Sequence, residues 1–149
     1  MRWLILFLLF PFAAQAADTH ITVEYVVTQE RIDRPNSIVI HPHITVQLVL
    51  HEDGTVDDYD HIPGPYAKNF AHGSKLGEQR VKVVDSHTIT RSWSVGPQQR
   101  KLTVVTSGSS CTAKLEISGP SEFAAYSTYS NTKALYRNAH VDRINCQIE

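Results

Sequence analysis

Cysteine is scarce in this chain: Cys111 and Cys146 are the only two in 149 residues. That excludes a disulfide-dense mini-scaffold, a Cys-x-x-Cys exchange motif and a cysteine-rich zinc module, since each needs several or closely spaced thiols. Long apolar runs are scarce too. Beyond the first residues no stretch approaches the roughly 20 apolar residues that a transmembrane helix requires. Basic charge is not in excess, with 14 Lys and Arg against 15 Asp and Glu. Nucleic acid is therefore not an expected partner, because its binding depends on clustered cations that release counterions from phosphates. Internal repeats, low-complexity tracts and interdomain linkers are missing as well.

What is present begins with Arg2, the apolar run from Trp3 to Phe10, and Ala14-Gln15-Ala16. A positive tip, an apolar middle too short to span a bilayer, and small residues before a cut are the parts of a secretory signal peptide. Residues 1–16 are read as that signal and 17–149 as one β-rich domain, periplasmic or secreted, with no membrane insertion after cleavage. Loss of Arg2 leaves 13 basic against 15 acidic residues, a formal charge of −2 with neutral histidines. Ala16, Ala17 and Asp18 offer no cysteine for a lipid anchor at the cut. An outer-membrane barrel would need many ten-residue strands with lipid-facing apolar bands, more than this chain readily supplies.

In an exported chain, an even pair of cysteines is most simply a disulfide. Cys111 shares alternate positions with Ala113, Leu115 and Ile117, and Cys146 with Ile144 and Ile148. If those two segments are neighbours, both sulfurs fall on the buried side. The rival reading is a pair of buried free thiols or a redox couple.

Period-two alternation recurs along the chain and helical periodicity hardly at all. Ile21, Val23, Tyr25 and Val27 give a first strand, and Ile38, Ile40, Ile44, Val46, Leu48 and Leu50 a long aliphatic series. Pro42 interrupts that series and marks an edge, a bulge or a break between two strands, because it cannot donate to a ladder. Asp53-Gly54 supplies a hairpin turn. Residues 55–60 return as a short polar strand, and the Pro- and Gly-rich stretch through Gly77 is the longest loop. A meander follows, with strands over 81–84, 87–95, 101–106 and 111–118, reversed at 85–86, Gly96-Pro97 and 107–110. Residues 121–138 are read as mixed loop with one short helical turn, and 139–148 as the closing strand. The expected fold is all-β, a single-domain antiparallel β-barrel or β-sandwich.

Candidate chemistry is sparse. His41 and His43 lie two residues apart on one strand, a spacing that can direct two imidazoles at the same ion, and His51 shares their parity. The same face carries Thr45 and Gln47, and simple solvent exposure explains all three histidines. Asp57, Asp58 and Asp60, beside Glu52 and Asp53, lack the ligand spacing of an EF-hand and read as a solvated acidic surface. Ser107, Ser109 and Ser110 sit in a turn without the Gly-x-Ser-x-Gly elbow of a strained nucleophile.

A binding site has the better argument. His87, Ile89, Arg91, Trp93 and Val95 share a strand face, so an inward Trp93 brings Arg91 inward with it. A buried guanidinium requires an acidic partner or an anionic ligand, unless it reaches water at the strand end past the indole. Tyr66 and Phe70 on the long loop are candidates to cover a pocket mouth. The expectation is a ligand-binding or protein-interaction module, its partner a small molecule or a protein, with no cofactor. The alternative is a metal-assisted or hydrolytic enzyme that uses the surface histidines. A dry apolar pocket beside Arg91 and Trp93 favours the first, and convergence of His41, His43 and His51 the second.

Overall fold

A computed structural model describes residues 17–61, 74–75, 81–127 and 130–149. Residues 1–16, read above as a signal, and Tyr66 and Phe70 lie outside the described residues. Those described form eleven strands and no helix, arranged in two antiparallel sheets. The first sheet contains β1 (Thr19–Arg31), β2 (Ile38–Ile40), β3 (His43–Leu50), β4 (Val56–His61), β5 (Ser74–Lys75), β10 (Glu122–Ser127) and β11 (Ser130–Ile148). Its order is β10-β11-β1-β3-β4-β5, with β2 pairing β1, and it curls as a half-barrel. The second sheet is the meander β6 (Val81–Asp85), β7 (Thr88–Val95), β8 (Gln98–Ser107) and β9 (Ser110–Ser118).

The all-β expectation holds, and the reversals fall where local chemistry places them. Pro42 separates β2 from β3, and its carbonyl, which proline keeps, accepts from the Val27 amide at 3.2 Å. Gly54 adopts φ +81° in the β3–β4 turn, closed by the His51 amide donating to the Thr55 carbonyl at 2.9 Å. The Asp53 carboxylate accepts from both the Thr55 amide and its hydroxyl, at 2.8 and 2.6 Å, so the turn's own residues satisfy it.

Residues 121–138 correct the sequence reading. Glu122–Ser127 is strand β10 and residues 130–138 are the start of strand β11, its antiparallel partner, not loop and helical turn. Phe123 and Ala125 on β10 and Ala134 and Tyr136 on β11 bury one face, while Ala124, Tyr126 and Leu135 face out. Two alanines among the buried residues weakened the apolar signal, yet the period is two. A second correction concerns the proline- and glycine-rich stretch, where Ser74–Lys75 pairs with β4 as a short strand.

Strand β11 is long because it serves two partners, β10 along its first half and β1 along its second. It bends to do so. Asp142 is an extra residue opposite Val26 and Val27, and a second irregularity lies opposite Thr28 to Glu30, where Asn138 adopts φ +55°. Each extra residue breaks the ladder and sharpens the local twist, which re-aims the inward face from Ile144 and Val141 to Tyr136 and Ala134.

The core lies between the sheets. Ile21, Val23, Val46 and Leu48 from the first meet Ile89, Leu102 and Val104 from the second, all at 2% exposure or less. Full burial of each such side chain stabilises by about 1.5–3 kcal/mol. Phe123, Ala125, Ala134 and Tyr136 form a separate small cluster beyond it.

Cys111 and Cys146 form a disulfide with Cα atoms 5.7 Å apart. Their strands are not hydrogen-bonded neighbours: β9 belongs to the second sheet and β11 to the first. The bridge therefore fastens one layer to the other. Among the described residues no helix is long and apolar enough to cross a membrane.

Candidate functional site

Arg91 and Arg100 both point into the space between the sheets, and the protein treats them differently. On β7 the inward parity is Ile89, Arg91, Trp93 and Val95; on β8 it is Gln98, Arg100, Leu102 and Val104. Register sets Arg91 opposite Leu102, Trp93 opposite Arg100 and Val95 opposite Gln98. Trp93 thus stands beside one cation on its own strand and across from another.

Arg91 is 2% exposed, so it does not escape to water past the indole. Its Nε–H donates to the Oδ2 of Asp58 on β4 at 2.6 Å, and its guanidinium lies 4.5 Å from the centroid of the Trp93 ring. Asp58 is 1% exposed, which corrects the reading of the acidic cluster as wholly solvated. Its neighbour Asp57 points the other way, towards His51. Strand alternation divides the cluster into a buried partner and a surface residue.

Arg100 is 3% exposed and has no carboxylate partner among the described residues. Its Nη2 donates to the Gln98 Oε1 at 2.7 Å, and the Gln98 Nε2 donates in turn to the Pro120 carbonyl at 2.9 Å. Nε and Nη1 have no hydrogen-bond partner there. The guanidinium carbon lies 6.0 Å from the centroid of the Phe123 ring, at the outer limit for a cation–π contact. Burial disfavours the charged form and pulls the pKa of Arg100 below the usual arginine value.

The hairpin that carries Gln98 and Arg100 is held at its tip. Gly96 adopts φ +58° in the β7–β8 turn, where a Cβ would run into the Ala124 carbonyl of β10. Only glycine allows that approach, and it sets the end of the second sheet against the first.

Arg100 lines a cavity of about 80 Å³. Tyr25, Val27 and Ile44 contribute its wall from the first sheet, and Trp93 and Leu115 from the second, with the Gln29 side chain nearby as an amide. Tyr25 and Trp93 are in tilted contact, their ring centroids 6.4 Å apart. This is an apolar pocket at Trp93, and the arginine in its wall is Arg100 in place of the expected Arg91.

The histidines occupy three different settings. The Nδ1 of His41 is 2.8 Å from the Thr28 hydroxyl. His43 lines a larger hollow of about 310 Å³ on the outer face of the first sheet, with Glu24, Thr45, Arg143 and Asn145. Glu24, His43, Arg143 and Asn145 are exposed, so that hollow's polar groups are open to solvent. His51 lies between two carboxylates, its Nδ1 3.0 Å from Asp18 and its Nε2 3.2 Å from Asp57. The Asp57 hydrogen bond, seconded by Asp18, holds its pKa above the ordinary histidine value against a smaller opposing effect of burial. Among the described residues no three His, Cys, Asp or Glu side chains gather as a metal site.

Fold and site together define a two-layer antiparallel β-protein with an apolar interlayer cavity and an arginine in its wall. Neither a protein-family model, nor a curated protein, nor a solved structure matches the chain.

Proposed function

We propose that this protein is an exported binding module that takes a small molecule into the interlayer cavity at Tyr25, Trp93 and Arg100. The observation that carries the reading is the Arg100 guanidinium, 3% exposed, with two nitrogens lacking hydrogen-bond partners among the described residues, in the wall of an otherwise mainly apolar cavity. A small number of placed polar groups in an apolar concavity is the usual composition of a ligand site. Export is supported by the signal-like pattern from Arg2 to Ala16 and by the disulfide, a bond that persists in oxidising compartments.

Native mass spectrometry of protein recovered from the periplasm or medium tests the reading. Wild-type protein should carry a noncovalent adduct, and Val95→Phe, which adds bulk at the cavity wall, should not. A wild-type spectrum without an adduct, even after incubation with a small-molecule extract of the host, would count against it.

A further inference from the structure

The geometry points to a compact organic monocarboxylate as the ligand, its carboxylate on Arg100 and its apolar tail against Tyr25, Trp93 and Leu115. This inference rests on the cavity reading above and adds the chemical class. Four observations lead to it.

The first is charge. Two arginines are buried on adjacent strands, set diagonally with Trp93 opposite Arg100, and among the described residues only Arg91 of the two has a carboxylate, from Asp58. Arg100 has a neutral amide, Gln98, and no carboxylate among the described residues. Burying a lone cation is costly, and an anion from outside removes that cost. The second is donor geometry. Nε carries one N–H and Nη1 two, all three without partners among the described residues. Gln98 takes one of the two Nη2 N–H groups, so the other, together with the Nε–H or an Nη1–H, forms one planar fork that matches the two oxygens of a carboxylate.

The third is valence. The cavity wall contributes one cation and no second one to balance a doubly charged phosphate, so a monoanion leaves the least unpaired charge in an apolar space. The fourth is size and surface. A volume of about 80 Å³ is roughly half that of an apolar cavity that takes benzene, so it encloses the carboxylate and first carbons of a short acid, and the rest of a short tail lies at the open side against two aromatic rings and a leucine.

Isothermal titration calorimetry with isobutyrate, isobutyramide and inorganic phosphate separates the possibilities. Isobutyrate should bind wild-type protein at least tenfold more tightly than isobutyramide, its uncharged isostere, and phosphate should bind more weakly than either. Arg100→Gln should abolish the preference for the acid over the amide, and Val95→Phe should remove binding while leaving Arg100 in place. Should Arg100→Gln fail to fold, the acid and amide comparison on wild-type protein still decides. Equal binding of acid and amide overturns the charge assignment and leaves the cavity reading standing. Tighter binding of phosphate overturns the ligand class, and no binding of any probe counts against both readings.

Discussion

Arg91 on β7 and Asp58 on β4 form an ion pair of 2.6 Å between the two sheets, each with a side chain no more than 3% exposed. Desolvation opposes such a pair and close contact with a charge-assisted hydrogen bond favours it, so the net gain over an apolar pair of similar size is small. What the pair does supply is direction: it sets a defined position on β4 against a defined position on β7.

Breaking it from one side leaves a charge buried alone. Asp58→Leu and Arg91→Met should each lower unfolding free energy by about 3–5 kcal/mol, read from denaturant midpoints. The double variant Asp58→Leu with Arg91→Met should recover most of that loss. Additive losses in the double variant would show that the two residues do not act as a unit.

Sequence alternation located Arg91 but neither Asp58 nor their meeting. Arg91 follows from its parity with Ile89 and Trp93, whereas Asp58 was hidden among aspartates whose composition suggested a solvated turn. Their pairing depends on which edge of one sheet crosses the other, and local pattern carries no information about that. Arg100 was within reach: extending the strand back from Lys101 to Gln98 puts Arg100 in phase with Leu102 and Val104. Residues 121–138 were obscured for another reason. Serine, threonine and alanine dilute the apolar period of a strand without abolishing it, and Phe123, Ala125, Ala134 and Tyr136 keep the alternation. Punctuation by Pro42, Asp53-Gly54 and Gly96 was readable because each acts through its own backbone.

The Cys111–Cys146 bridge closes a separation of 35 residues and spans the two layers. In the chain-entropy model a loop of that length stabilises by about 4 kcal/mol. Cys111→Ala with Cys146→Ala should therefore shift the unfolding midpoint strongly downward, and a reducing agent should move the wild-type midpoint to nearly the same place. A midpoint that is indifferent to reductant would contradict a structural role for the bond.

His51 offers a test by pH. Because Asp57 and Asp18 favour its imidazolium, its folded-state pKa lies above the unfolded value of 6.5. The sign follows: its contribution to stability is fully present below the unfolded pKa and is lost as pH rises through the folded one. Proton NMR should place the His51 midpoint above that of His51 in an Asp57→Asn variant. A midpoint unmoved by that substitution would show that Asp57 does not hold the ring.

The most direct test of the account follows the guanidinium Nε–H resonances of Arg91 and Arg100 by NMR while isobutyrate is added. The Arg100 signal should move in a saturable way together with the Trp93 indole, and the Arg91 signal, already held by Asp58, should move little. Movement of Arg91 with Arg100 unmoved, or no movement of either, would contradict a carboxylate site at the unpaired arginine.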